Sequence, residues 1–302
     1  MVEFFKKTNF NFIGLRKRMF FVSAILILAT VGSVIYYKGF NLSIDFVGGT
    51  LVQVKFENTV SADISTVRSL VSGLGYGNPE IKTLAANELQ ITVKKKGEGM
   101  AVSQGISAAL AKGYAQNKFE ILKQESVGAK VSGELARNAV MAILLSWLAI
   151  ILYMWIRFKL PHGVAAVIAL IHDIIITTGV FTIRDAEISL SFVAAILTVI
   201  GYSLNDTIVI FDRVRENVQK GSNNRSFEDL INTSINETLS RTVITAVAML
   251  MALTVFYFFG GEATRDLSLA MIIGTLIGTY SSYFVACPIL VVWNKKYPIK
   301  AH

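Results

Sequence analysis

The chain has 302 residues, 53% of them hydrophobic and 17% charged, and a mean hydropathy of +0.54, a balance that excludes an ordinary soluble domain and points to a membrane protein. The net charge of +8 does not indicate a nucleic-acid partner, because the basic residues cluster just outside the apolar runs, as on the cytoplasmic face of a membrane.

Residues 1–18 read as a cytoplasmic amphipathic segment in which "VEFFKKTNFNFIGL" interleaves phenylalanines with lysines, the pattern of an aromatic anchor at the interface. Residues 19–37 are the first transmembrane helix. Arg16, Lys17 and Arg18 precede it as they would a signal peptide. Its apolar part exceeds the usual length of about 7–15 residues, however, and no small-residue cleavage pattern follows at Tyr36, Tyr37 and Lys38. It reads as a retained anchor.

Residues 38–137 are the one long hydrophilic stretch. Val52, Val54 and Phe56 alternate with polar neighbours as in a half-buried strand, and Ile64, Val67, Leu70, Val71 and Leu74 recur at helical spacing until Gly73, Gly75 and Gly77 end the helix. Strands at 80–85 and around Leu89, Ile91 and Val93 meet at Ala86-Asn87; a helix at 100–114 and a strand near 118–124 follow. The order βαββαβ predicts an α+β ferredoxin-like domain. With no histidine, cysteine or acidic cluster, it offers no catalytic constellation and reads as a binding or lever domain.

Residues 138–293 hold five further apolar runs, 140–156, 163–182, 190–211, 242–259 and 267–293, each near the about 20 residues needed to cross the hydrocarbon. The fold class is therefore a multi-pass α-helical membrane protein with six transmembrane helices and one inserted ferredoxin-like domain. Lys6, Lys7, Arg157, Lys159, Arg213, Arg215, Lys220, Arg225, Lys295, Lys296 and Lys300 all fall on one side. The positive-inside bias places both termini in the cytoplasm and the insert outside it. Within the cytoplasmic loop 212–241, Phe227, Leu230, Ile231, Ile235 and Leu239 form an apolar stripe opened by Ser226 and Asp229 in capping spacing, which predicts a helix along the inner membrane surface or a docking face. Residues 294–302 are a cytoplasmic tail.

Polar residues inside these runs are the functional candidates. Asp206, in "GYSLNDTIVIFDRVREN", lies five residues before Phe211, roughly 7–8 Å inside the boundary. A central aspartate costs about 2.5–3.5 kcal/mol to insert, and withdrawal from water favours the neutral form of a carboxyl. Two readings stand: a structural carboxylate with a neighbour, or a proton-binding or gating group. Arg241 opens the fifth span at a similar depth, on a face with Thr245, Ala248 and Ala252. It is either a snorkelling boundary arginine or the partner of Asp206. His172 and Asp173 sit near the middle of the third span, with Ala166, Ala169 and Thr177 on the same face as the aspartate. They form a proton relay or a hydrogen-bonded structural pair. Gly274 and Gly278, with Ser281 on the same face, are spaced for close helix packing, and Gly201 is a further such position. Cys287 is the lone cysteine, so there is no disulfide framework. The three histidines, His162, His172 and His302, show no metal-site spacing. No GxxxxGK[ST] loop is present, and no cofactor or enzymatic activity is expected.

Four motifs in order, "IDFVGGT" (44–50), "ALIHDIII" in the third span, "GYSLNDTIVIFDRVREN" and "ETLSRTVIT" at the fifth, resemble the SecF-type members of the SecD/SecF family, over essentially the whole chain. The resemblance implies half of an RND-superfamily architecture, paired with SecD and acting with the SecYEG channel and YajC on a translocating unfolded polypeptide. The family uses the proton-motive force to assist export across the bacterial plasma membrane. Its proton-linked positions fall on Asp206 and Arg241, with Asn205 beside them. Asp45, Phe46, Gly48 and Gly49 belong to its signature after the first span. Two competing readings are half of an RND-type small-molecule or lipid exporter, and a structural stabiliser of the translocon that moves no protons.

Overall fold

The computed structural model describes residues 8–58, 64–94, 99–220 and 225–297. Lys6, Lys7 and Lys300 of the orientation argument lie outside these residues. In chain order the elements are α1 (Arg16–Tyr36), α2 (Ile44–Val47), β1 (Gly49–Phe56), α3 (Ile64–Ser72), β2 (Glu80–Ala85), β3 (Glu88–Val93), α4 (Gly99–Gly113) and β4 (Phe119–Val127). There follow α5 (Ala129–Arg157), α6 (Leu160–Ile183), α7 (Leu190–Gln219), α8 (Phe227–Phe259), α9 (Glu262–Ser281), a π-helical turn (Ser282–Ala286) and α10 (Cys287–Lys296). They form two compact units, Leu42–Met141 and the remainder.

In the smaller unit the sheet order is β2-β3-β1-β4 and every neighbouring pair is antiparallel. With the helices between β1 and β2 and between β3 and β4, this is the ferredoxin-like arrangement. The alternation in β1 turns Val52, Val54 and Phe56 into the core, where they meet Ile91 and Leu89 of β3, Val67 and Val71 of α3, and Ile106 and Leu110 of α4. Each such side chain contributes about 1.5–3 kcal/mol by leaving water. Strand β4 runs on to Val127, beyond the expected end near 124. The short helix α2 is capped by Ser43, whose hydroxyl accepts from the Asp45 backbone N–H. Its end explains the paired glycines. Gly48 and Gly49 have φ of +76° and +148°, and a Cβ on Gly49 would stand 2.5 Å from the Val93 carbonyl oxygen. Only glycine adopts that backbone against a neighbouring strand at this distance.

Among the described residues, six helical segments are long and apolar enough to span a membrane. Those on α1, α5 and α8 show rows of exposed Leu, Ile, Val and Phe, the lipid-facing surface expected where no water competes. Helix α6 is largely enclosed by its neighbours, with Ala165, Ala166, Ala169 and Leu170 all 2% exposed or less. The sixth span changes pitch at Ser282–Ala286. Pro288 follows it, and a proline lacks the N–H for the carbonyl four residues back and crowds it, which loosens the preceding turn.

Two expectations are corrected here. The apolar stripe from Phe227 to Leu239 is not a separate surface helix. It is the first part of α8, which runs unbroken for 33 residues from a Ser226–Asp229 capping box. At 1.5 Å per residue that is about 50 Å, more than the about 30 Å hydrocarbon core requires. Ile231 and Ile235 are fully buried in the bundle. The described part of the aromatic segment before α1, residues 8–15, also packs on protein, while Phe4 and Phe5 lie outside the described residues. Asn236 accepts from the Phe10 N–H and donates to the Phe10 carbonyl, Asn232 accepts from the Phe12 N–H, and the Phe12 ring meets Tyr283 and Phe284.

Candidate functional site

Asp173 is 1% exposed and His172 6% exposed, both on α6. Helix geometry would send neighbouring residues to different faces, yet the two side chains turn towards each other, with His172 Nδ1 3.1 Å from Asp173 Oδ1. The other carboxylate oxygen, Oδ2, lies 2.9 Å from the Ser203 hydroxyl of α7 and 2.9 Å from the Ser281 hydroxyl of α9. On the imidazole's far side, Nε2 is 3.0 Å from Ser23 Oγ of α1. Ser23 lies 3.0 Å from the Tyr280 hydroxyl, which donates at 2.7 Å to the Met19 carbonyl. The Tyr280 ring stacks on His172 with centroids 6.0 Å apart. One continuous polar chain thus joins four helices. A buried carboxyl–imidazole pair is costly unless every member is satisfied, and this one is.

The glycines of α9 make that convergence possible. A Cβ on Gly278 would lie 2.8 Å from Ser203 Cβ, and one on Gly274 would collide with Val199. These two positions let α9 close on α7, bringing Ser281 and Ser203 onto the same oxygen. Gly179 does the same for α6 against Thr30 of α1. Gly201 differs: a Cβ there meets nothing within 4 Å in this chain.

Asp206 lies three residues beyond Ser203 on α7. It is 2% exposed, and its Oδ2 is buried with no hydrogen-bond partner. Next to it, Thr207 shares a 2.9 Å hydrogen bond with Ser282 at the π turn. Among the described residues no ion pair joins Asp206 to Arg241. Arg241 stands on an exposed side of α8, whereas Thr238, Thr242, Ala246 and Leu253 make its buried stripe. Asn205 and Gly201 are likewise exposed on α7.

At the helix ends the charges pair. Arg213 donates to Glu237 and Glu216, Arg157 meets Asp212, and Glu228 receives both Arg16 and Lys295, tying α1, α8 and α10. Among the described residues no three His, Cys, Asp or Glu side chains gather as metal ligands would.

Four residues of the network escape sequence reading: Ser23, Ser203, Tyr280 and, as a ligand of Asp173, Ser281. Single serines and tyrosines are ordinary in membrane helices. The available signal is positional, since Ser203 is three residues before Asp206 and Ser281 shares the face of Gly274 and Gly278.

Six membrane-spanning helices around a buried, fully bonded carboxyl–imidazole pair, with a second buried carboxyl whose Oδ2 meets no donor among the described residues, define a multi-pass membrane protein with ionisable groups at its centre. The comparisons name the family. Residues 106–296 match the model of the protein export membrane protein SecD/SecF C-terminal region, and residues 38–60 match the SecD/SecF GG motif. The protein translocase subunit SecF of Desulfurispirillum indicum is 42% identical over 95% of this chain and 92% of its own length. That of Thermodesulfovibrio yellowstonii is 37% identical over 99% and 100%. The crystal structure of SecDF from Thermus thermophilus, described as a translocon-associated membrane protein, superposes with a TM-score of 0.85 at 35% identity, over 96% of this chain. A SecDF structure in a super-membrane-facing form gives 0.70 at 34% identity. The chain spans 39% of the first SecDF chain and 40% of the second. It belongs to the SecD/SecF family of protein export membrane proteins.

Proposed function

We propose that the chain is the SecF-type auxiliary subunit of the Sec preprotein translocase, one half of an RND-type assembly whose other half is a SecD-like partner. It lies in the bacterial plasma membrane with both termini in the cytoplasm, and its ferredoxin-like domain projects outside to engage the emerging polypeptide. The partners are SecD, the SecYEG channel and YajC, and the proton-motive force supplies the energy.

The observation that carries this reading is the Asp206 carboxyl. One of its oxygens is buried without a donor, on a helix that also exposes Asn205 and Gly201. Arg241 is exposed on the next helix, α8. A second six-helix half packed on this side would complete the environment of the carboxyl. Protonation then changes what the carboxyl attracts: ionised, it draws the guanidinium; neutral, it releases it. One proton moving through 100 mV supplies about 2.3 kcal/mol, enough to shift a two-state equilibrium about fifty-fold. His172 and Asp173 lie nearby, since Asp173 accepts from Ser203, three residues before Asp206 on α7.

Export driven by an imposed proton gradient, in vesicles holding this chain with its SecD partner, tests the reading with Asp206→Asn and Arg241→Met. A stabiliser without transport leaves export unchanged in both.

A further inference from the structure

The hydrogen-bond chain around His172 fixes where its protons are. The 2.7 Å approach of the Tyr280 hydroxyl to the Met19 carbonyl needs a hydrogen between the oxygens, and a carbonyl has none, so Tyr280 donates. Its single hydrogen is then used. The 3.0 Å contact of Ser23 with Tyr280 is therefore donated by Ser23, which uses that hydroxyl's only hydrogen. Ser23 has none left for His172, so the 3.0 Å contact at Nε2 is donated by the ring. With Nε2 protonated, the 3.1 Å contact between Nδ1 and Asp173 Oδ1 still requires one proton. It sits either on Nδ1, giving imidazolium against carboxylate, or on Oδ1, giving neutral imidazole against carboxylic acid. Without it, a bare nitrogen lone pair would face a carboxylate in a site 1% exposed.

We propose that Tyr280, acting through Ser23, sets the tautomer of His172, and that the His172–Asp173 pair is a proton-binding site which is filled in this conformation. The proposal deepens the proton-coupled reading above but does not depend on Asp206. Emptying the site has a defined consequence. The ring proton moves to Nδ1 to satisfy the carboxylate, Nε2 becomes an acceptor, and Ser23 turns its hydrogen to it. Tyr280 is then the only hydroxyl able to donate in its contact with Ser23, and its bond to Met19 breaks. Loss of one proton at α6 is thereby converted into release of α9 from the first turn of α1. Tyr280 and Ser23 are positioning residues in this scheme. Other titratable groups on α6 and the elements packed against it include His162 on α6, Tyr202, Asp206, Asp212, Arg213, Arg215 and Glu216 on α7, Arg265 and Asp266 on α9, Tyr283 in the π turn, Cys287, Lys295 and Lys296 on α10, and Arg16, Lys17 and Arg18 opening α1.

Nitrogen NMR of the full-length chain in lipid nanodiscs, with ¹⁵N-labelled histidine and His172 assigned by loss of its signals in His172→Gln, reads the tautomer directly. Infrared spectroscopy compared with Asp173→Asn reads the carboxyl. The expected result is a protonated Nε2 on His172 together with either a protonated Nδ1 or a carboxylic-acid stretch from Asp173. In Tyr280→Phe, which keeps the ring stack and removes only the hydroxyl, Ser23 regains a hydrogen for the ring, and the Nε2 signal moves towards its unprotonated position. A wild-type His172 with a bare Nε2, a protonated Nδ1 and an ionised Asp173 would overturn the proposal, as would a Tyr280→Phe chain with an unmoved Nε2 signal. Should that variant not fold, the wild-type measurement decides alone. Failure of the Asp206 reading appears in export and leaves these spectra untouched.

Discussion

Gly278 of α9 and Ser203 of α7 approach so closely that a methyl group on the glycine would lie 2.8 Å from the serine Cβ. This contact, one turn from Ser281, sets the distance at which two hydroxyls reach one oxygen of Asp173. Gly278→Ala should therefore lower stability by about 1–3 kcal/mol through overpacking. Gly201→Ala, into open space, should change the isolated chain by less than about 0.5 kcal/mol. Thermal unfolding of the two variants in detergent makes the comparison; equal effects would contradict the packing assigned to α9.

The GG signature makes a parallel prediction in the smaller unit. Gly49→Ala meets both an unfavourable φ and the Val93 carbonyl at 2.5 Å, and should destabilise the 42–141 unit by at least about 2 kcal/mol. Gly75→Ala, at φ +73° where the added methyl would meet nothing within 4 Å, should cost only about 1 kcal/mol. Limited proteolysis of the full chain, followed by identification of the released fragments, separates the two.

Asn232 and Asn236 hold the backbone of residues 10–13 against α8 by hydrogen bonds at 2.8 and 2.9 Å. Replacing Asn236 by Ala removes two of these, at about 0.5–1.5 kcal/mol each. Hydrogen exchange at the Phe10 amide should accelerate about ten-fold or more, while that of the α8 interior stays unchanged.

The Glu228 cluster should matter little. Arg16 and Lys295 reach it at 2.8 and 2.7 Å, but the Lys295 side chain is 61% exposed. Glu228→Gln should cost no more than about 1 kcal/mol, and the difference should vanish in molar salt. A loss that persists at high salt would show the contact to be more enclosed than it is.

Much of this architecture is legible in the residues because two periodicities carry it. Alternation in Val52, Val54 and Phe56, and unbroken apolar runs of membrane length, need no tertiary information. Asp206, His172 and Asp173 stand out because lipid penalises them. What escapes is what depends on azimuth and on distant pairing. Arg241 and Asp206 share a depth, yet Arg241 precedes Thr242 of the buried stripe by one residue, about 100° of rotation, and so faces outward. Ser23 and Tyr280 are separated by 257 positions and are unremarkable in either helix; only the packing of α1 and α9 on α6 joins them to His172. The stripe at 227–239 is legible as amphipathic, which leaves the inner membrane surface and a docking face both open; only the packing shows that the bundle itself covers Ile231 and Ile235.

On the proposed reading, the buried carboxyl at 206 couples proton movement to export. The most direct measurement is polypeptide export in reconstituted vesicles containing this chain and a SecD protein, with an imposed proton gradient as the variable. With Asp206→Asn and normal assembly of the complex, the gradient-dependent part of export should disappear while the gradient-independent part remains. Gradient-dependent export at the unsubstituted rate would contradict the account and leave this subunit a stabiliser.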